Sequence, residues 1–282
     1  MKKLIILISL IVIAIILVFS CRSISTEIYE IDSSLIKENT SVRIVLISDL
    51  HNTLYGKNQS ILIGKIIEQK PDLIILAGDM FHSTGPMERS IIFLSGISGI
   101  APIYYVTGNH EYASRKINFI RETLLSHGVI ILSDSYEQIS INGNEIIVAG
   151  VEDPYVRIYE RSGYNQREIM EERFRELDDI EAFSILAAHR PERIESYKRF
   201  SFDLVLSGHA HGGQVRIPGV MNGLVAPHQG FFPKYAGGLY QHENLTHIVS
   251  RGLAVNWIPR IFNPPELVVI VVGCAPLDNT EQ

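Results

Sequence analysis

Two histidines one residue apart, His209 and His211, stand in the stretch Gly208-His209-Ala210-His211-Gly212-Gly213-Gln214, just past the apolar run Leu204-Val205-Leu206. A short apolar run of that kind reads as a buried strand, so both imidazoles leave a strand end together and can be aimed into one pocket. The glycines remove side-chain bulk where a ligand or another backbone must come close. Four other apolar runs end in comparable residues. Val42–Ile47 leads into Ser48-Asp49-Leu50-His51, and Leu73–Ala77 into Gly78-Asp79. Pro102–Val106 leads into Thr107-Gly108-Asn109-His110-Glu111, and Phe183–Ala188 into His189-Arg190-Pro191.

Taken alone, each residue has a bland reading; an Asp after a strand, such as Asp79, is ordinarily a turn or helix cap. Recurrence at five strand ends points to a site, because open α/β sheets bind substrates at the carboxyl ends of their strands. The collected donors are Asp49, His51, Asp79, Asn109, His189, His209 and His211. Carboxylate, imidazole and amide oxygen suit divalent Mn, Fe, Zn or Co, and the absence of thiolates argues against a structural zinc site. Seven donors are too many for one tetrahedral ion and suit two ions sharing a bridging carboxylate. Two ions about 3.5–4 Å apart can hold a hydroxide between them and clamp phosphate oxygens for in-line attack on phosphorus. The departing alkoxide then needs a proton, and His110, beside Asn109, is the candidate donor.

The elements that must position these residues follow from periodicity. Ile63, Ile66 and Ile67 mark a helix over 61–69, a second helical stretch lies around 87–98, and Ile117, Ile120 and Leu124 share one face of a third. That third helix stops at His127-Gly128, a C-terminal glycine cap. Asn142-Gly143 is a tight-hairpin signal between strands at Tyr136–Ile141 and Glu145–Ala149. Residues 164–178 are highly charged, helical in character and expected to present a solvated face. Two short strands flank Asn244, and Leu267–Val272 forms a last apolar run. Strands alternating with helices define an α/β chain. Residues 42–273 are read as one catalytic domain, preceded by a linker or edge strand over 22–41 and followed by a tail over 274–282.

The chain has 282 residues, 46% of them hydrophobic, enough for one large domain with a sizeable core. Its 25 Lys and Arg against 31 Asp and Glu leave a charge of −6, and with no basic runs nucleic acid is not an expected partner. Met1-Lys2-Lys3 followed by the apolar run Leu4–Phe19 reads as an export or anchoring segment over residues 1–21. That run falls a little short of the roughly 20 residues that span a bilayer unaided. Val18-Phe19-Ser20-Cys21 resembles a loose lipobox, so a lipidated Cys21 and an uncleaved signal-anchor remain two alternatives. Either tethers the protein to a membrane with the domain outside the cytoplasm. Neither Cys21 nor Cys274 lies near the candidate chemistry.

The ordered set Asp49-Leu50-His51, Gly78-Asp79, Gly108-Asn109-His110-Glu111, His189 and Gly208-His209-Ala210-His211 resembles the calcineurin-like metallophosphoesterase superfamily, over residues from about 42 to 272. The resemblance implies a four-layer α/β/β/α sandwich of two mixed sheets. It implies one metal on Asp49, His51, Asp79 and His211, and a second on Asp79, Asn109, His189 and His209, with manganese the foremost choice of ion. His110 matches the catalytic histidine, and Glu111 is expected to orient its neighbours. Gly78-Asp79-Met80-Phe81-His82-Ser83 departs from the Gly-Asp-x-Val-Asp-Arg-Gly of the Ser/Thr protein phosphatases. Gly150-Val151-Glu152-Asp153-Pro154 and the stretch from Ser250-Arg251-Gly252 through Asn263-Pro264-Pro265-Glu266-Leu267 are similar to bacterial membrane-associated phosphodiesterases. Some relatives in that subgroup are implicated in cleaving the pyrophosphate of UDP-diacylglucosamine.

The reading that results is a membrane-tethered dinuclear hydrolase of phosphodiester or pyrophosphate bonds, with a lipid-linked substrate as one candidate class. A phosphomonoesterase and a non-catalytic metal-binding lipoprotein are the alternatives, and oligomeric state is left open. The loop with His228, Phe231, Phe232, Pro233 and Tyr235, together with Trp257, Ile258 and Phe262, is expected to pack on the second sheet, as large apolar side chains usually do. The alternative is an apolar lip for acyl chains or a bilayer. His82, Arg157 and Arg190 are candidate substrate contacts, the arginines because guanidinium matches phosphate geometry.

Overall fold

A computed structural model describes residues 23–255 and 258–274. The expected anchor over 1–21, Cys21, Trp257 and the tail beyond Cys274 lie outside the described residues. Among the described residues, no helix is long and apolar enough to cross a membrane.

In chain order the elements are β1 (Ser25–Asp32), β2 (Ser41–Ile47), α1 (Ser60–Gln69), β3 (Leu73–Ala77), α2 (Glu88–Ile97), β4 (Ile103–Val106), α3 (Asn109–Ala113), α4 (Ile117–Ser126) and β5 (Val129–Ile131). Then come β6 (Ser135–Ile141), β7 (Asn144–Gly150), α5 (Val156–Tyr159), α6 (Gln166–Phe174), β8 (Phe183–Ala187), α7 (Ile194–Tyr197) and β9 (Leu204–Ser207). The chain closes with β10 (Val225–Ala226), β11 (Gly230–Phe231), β12 (Gly238–His242), β13 (Leu245–Val249) and β14 (Glu266–Gly273).

These strands build two mixed six-stranded sheets, ordered β1-β14-β2-β3-β4-β5 and β12-β13-β9-β8-β7-β6. The central strands are apolar at nearly every position because they are covered on both faces. In β2, Ile44 and Leu46 face the inter-sheet core, where they meet Val148, Ile185 and Leu206 of the second sheet. Val45 and Ile47 face the other way, into a core shared with α1, α2 and α4. The outer face of the second sheet is covered by Met170 and Phe174 of α6 and by Ile194 and Tyr197 of α7. Helices outside and two sheets inside make the four-layer α/β/β/α sandwich. Each fully buried aliphatic side chain in it is worth about 1.5–3 kcal/mol of burial.

Local signals hold at the places where geometry demands them. Gly128, at φ 74, donates its N–H to the Leu125 carbonyl and ends α4. Asn142 and Gly143 both have positive φ, 51 and 79, as the type I′ turn between β6 and β7 requires. The charged stretch is less solvated than expected, since Met170 and Phe174 turn inward.

Candidate metal centre

Each donor loop leaves the carboxyl end of a strand: Asp49 and His51 follow β2, Asp79 follows β3, His189 follows β8, and His209 and His211 follow β9, while Asn109 opens α3. The backbone turns sharply there. Asp49, His51, Asp79, His209 and His211 all have φ between 49 and 67, a left-handed conformation uncommon outside glycine. The side chains form two groups, Asp49/His51/His211 and Asp79/His189/His209, each with its donor atoms within 4.8 Å of one another. Asp79 joins them: its Oδ2 lies 3.3 Å from His189 Nε2 and 3.4 Å from His51 Nε2.

Surrounding residues hold this arrangement. The Glu111 carboxylate accepts the N–H groups of Asp79 (3.0 Å), Phe81 (3.0 Å) and Gly108 (2.9 Å), fixing the turn that carries Asp79. Asp79 Oδ1 accepts the His110 N–H at 2.8 Å, and Asp49 accepts that of His209 at 2.9 Å. His189 Nδ1 sits 2.8 Å from the Ala77 carbonyl; a proton on that nitrogen leaves Nε2 as the ligating atom. Asn263 donates to the carbonyls of His211 and Gln214 at 2.7 and 3.1 Å. Asn109 Oδ1, His51 Nδ1 and His211 Nδ1 are buried without hydrogen-bond partners. Unpaired buried donors and acceptors of this kind are costly, and the oxygen and nitrogen donor set fits divalent cations.

Electrostatics point the same way. Burial works to raise both carboxyl groups, and the imidazoles overcome it: His211 and His51 hold Asp49 below the usual range, and His189 and His51 do so for Asp79. His189 is the exception: burial would lower it, but the Asp79 carboxylate lifts it to about 10, so a cation there would have to displace the Nε2 proton. Burial takes His211 down to about 3 and His209 well below its ordinary value, leaving both rings neutral near pH 7 and able to ligate. Burial and the Asp79 charge push Glu111 up to about 8, against the N–H donors of Phe81 and Gly108.

A cavity of about 230 Å³ beside the donors is lined by His51, His82, His110, His211, Arg89 and Val255. The His110 ring stacks on His82 at 4.4 Å and stands edge-on to His51 at 4.5 Å. Burial lowers His110 to about 4, although Asp79 pulls upward. On the other flank, the buried Arg190 makes a two-pronged ion pair with Asp153, at 2.6 and 3.0 Å. Its Nη1 lies 2.9 Å from His228 Nδ1, which is itself 2.9 Å from His209 Nε2.

The structure therefore brings together Asp49, His51, Asp79, His189, His209 and His211, with Asn109 and His110 beside them and His82 and Arg190 at the edges. Arg157 stands apart, exposed on α5, lining a separate cleft with Tyr164 and Arg193. The sequence groups His228 with the aromatic loop rather than with the donors, and assigns Asp153 no role. A lone histidine two residues past a two-residue strand offers no pattern to find. The aromatics also depart from expectation: Tyr235 is buried, but Phe231, Phe232 and Phe262 are exposed.

A family model described as calcineurin-like phosphoesterase matches residues 42–213. The uncharacterized protein YpbG of Bacillus subtilis (strain 168) is 29% identical over 246 residues, 86% of this chain and 85% of that protein. Phosphodiesterase YaeI of Escherichia coli (strain K12) is 26% identical over 243 residues, 83% of each. Among solved structures, the Haemophilus influenzae NAD nucleotidase NadN is alike in fold, with a TM-score of 0.52 at 15% identity over 77% of this chain and 46% of that one.

Proposed function

The chain belongs to the calcineurin-like phosphoesterase family, a phosphoric ester hydrolase by that membership, and from there we propose a dinuclear phosphodiesterase acting at a membrane. The observation that carries the two-ion reading is Asp79, whose Oδ2 lies within 3.4 Å of histidines from both donor groups. Asp49, His51, Asp79 and His211 would hold one ion, and Asp79, Asn109, His189 and His209 the other, with manganese first among Mn, Zn, Fe and Co. Bound divalent ions supply Lewis-acid charge to the phosphoryl oxygens and make water a nucleophile at neutral pH.

The remaining steps belong to side chains. Glu111 fixes the Asp79 turn so that the carboxylate does not reorganise during reaction. The Ser83 N–H approaches His110 Nδ1 at 3.4 Å, which favours the Nε2–H tautomer of the neutral ring, with the Ser83 hydroxyl at 3.2 Å also donating to Nδ1. That Nε2–H would hydrogen-bond to the departing alkoxide and stabilise its charge, while full proton transfer would come from the imidazolium form of the ring. Arg190, fixed by Asp153 and directed at His228, is suited to a phosphoryl oxygen flanking the second donor group. The relative YaeI is named a phosphodiesterase, which favours a diester. The apolar run at Leu4–Phe19 favours a tethered protein, facing outward from a bacterial membrane, and a lipid-linked diester or pyrophosphate such as UDP-diacylglucosamine.

The test is turnover of bis(p-nitrophenyl) phosphate against p-nitrophenyl phosphate by the full chain in detergent with Mn²⁺. The expected result is a kcat/KM favouring the diester by about tenfold or more, with Asp79→Asn losing at least about 10²-fold. Preference for the monoester would replace this reading with a phosphomonoesterase. Two bound ions without turnover of either ester would indicate a metal-binding protein that is not an enzyme for simple esters.

A further inference from the structure

The rim of the donor loops carries apolar side chains that nothing among the described residues covers. Val220, Phe231 and Phe232 are 82%, 73% and 69% exposed, and Ile217 and Phe262 are about half exposed. Backbone hydrogen bonds tie them into one loop cluster: Phe232 N–H to the Leu224 carbonyl, Leu224 N–H to Gly213, Val220 N–H to Ile217, and Arg216 N–H to Ile261. The same cluster sets His228 against His209 and Asn263 against His211. Phe232 and Phe262 have φ of 55 and 50, so two of the rings are held outward by conformations that non-glycine residues rarely take.

Charge is distributed to match. In a chain with 31 acidic residues, none lies between Asp203 and Glu243, nor between Glu243 and Glu266. Those two stretches contain the whole rim, and Arg216 and Lys234 with it.

The chain also enters the domain at this edge. Ser25 donates to the Pro265 carbonyl and pairs with Glu266, and Glu266 donates to Gly252, whose neighbour Leu253 donates to Ser48. Ser25 is thus three strand spacings, about 14 Å, from the residue before Asp49, and Pro265 is three residues past Phe262. The apolar run ends at Phe19, and the four residues from there to Ser23 span at most about 14 Å. A tether that short cannot turn the opposite edge toward the bilayer.

We propose that the rim of Ile217, Val220, Phe231, Phe232 and Phe262 docks on an anionic lipid bilayer and seats the donor loops at the membrane surface. This rests on residues 1–21 being a membrane tether. Aromatic and aliphatic side chains with cations among them, on loops that themselves carry no carboxylate, are the composition that lies in the boundary of anionic lipid.

The test places one indole in the full chain, in a Trp257→Phe background, by Phe231→Trp, by Val220→Trp, or by Leu125→Trp as a control. Leu125 is exposed at the end of α4 that precedes β5, away from the donor edge. Each variant is reconstituted in phosphatidylcholine–phosphatidylglycerol vesicles with brominated acyl chains, floated, and its emission compared with that in unbrominated vesicles. Docking at the headgroup–acyl boundary should quench the 231 and 220 indoles by roughly half and leave the 125 indole near its unquenched intensity. Two rim positions on different loops keep one misfolded variant from deciding the matter. Flotation without quenching at either rim position would overturn the docking and leave the tether standing. A chain that fails to float overturns both. Blue-shifted rim emission without bromine quenching means that protein, such as a second copy, covers the rim, and overturns the docking too.

Discussion

At positive φ, Asp49, His51, Asp79, His209 and His211 each occupy a conformation that costs on the order of 1–3 kcal/mol for a non-glycine residue. Aspartate and histidine are among the types that tolerate it best, so the ligand types and the sharp turns after the strands agree. Strain of this size persists only where neighbours over-determine it, and Glu111 is the neighbour with most to do. Both its oxygens are occupied by the N–H groups of Asp79, Phe81 and Gly108. Above pH 8, where Glu111 is ionised, Glu111→Gln turns one acceptor into an NH₂ facing a buried N–H donor, which costs about 1–3 kcal/mol. The expected outcome is a thermal midpoint lowered by roughly 2–12 °C, together with weaker Mn²⁺ binding in a titration followed by calorimetry. An unchanged midpoint with unchanged affinity would mean that the Asp79 turn does not depend on Glu111.

At the scale of elements, the donor loops approach each other more closely than side chains allow. Gly108, just before α3, has φ −108, so alanine would fit its backbone, yet a Cβ there would lie 2.2 Å from Asp79 Oδ1. Gly108→Ala is therefore a steric probe that leaves its own φ unstrained and presses on both the carboxylate and the backbone nitrogen of Asp79, the latter at 2.5 Å. It should displace the Asp79 carboxylate and lower turnover by about 10²-fold while far-UV circular dichroism keeps its native shape. Full activity in that variant would show that the loops can part without cost. Much of this level was legible in the sequence. The β-branched runs of β2, β3, β8 and β9 read as strands because both faces are covered, and their terminal Asp and His residues converge because the strands run parallel within each sheet. Other features had no local signal. The insertion of β14 between β1 and β2 joins strands more than two hundred residues apart. Arg190, Asp153 and His228 meet across three elements, and composition assigned Phe231 and Phe232 to a core that they leave.

For the whole molecule, the sandwich separates a functional edge, rich in buried histidine held near carboxylates, from a body where a buried histidine has no such partner. His247 on β13 is that case: fully buried, with Nε2 3.1 Å from the Ser207 hydroxyl and Nδ1 unpaired. Its ring faces His242 at 6.0 Å, Tyr235 at 5.6 Å and Tyr240 at 6.1 Å, none of them a carboxylate. Burial, with a smaller push from His242, lowers it to about 3. An unfolded histidine titrates near about 6.5, so below that pH the unfolded chain binds a proton that the native fold refuses. The stabilisation is complete above about pH 6.5 and is lost as pH falls toward 3, at about 1.4 kcal/mol per pH unit. His247→Gln keeps a polar group near Ser207 and removes the titration. In chelator, which removes the competing effect of metal at the donor histidines, urea unfolding of the two proteins between pH 6.5 and 4.5 should give stability slopes that differ by about one proton, the parent falling more steeply. Equal slopes would mean that His247 takes up its proton in the native state, and that the second sheet and the loop over it open to water well above pH 3.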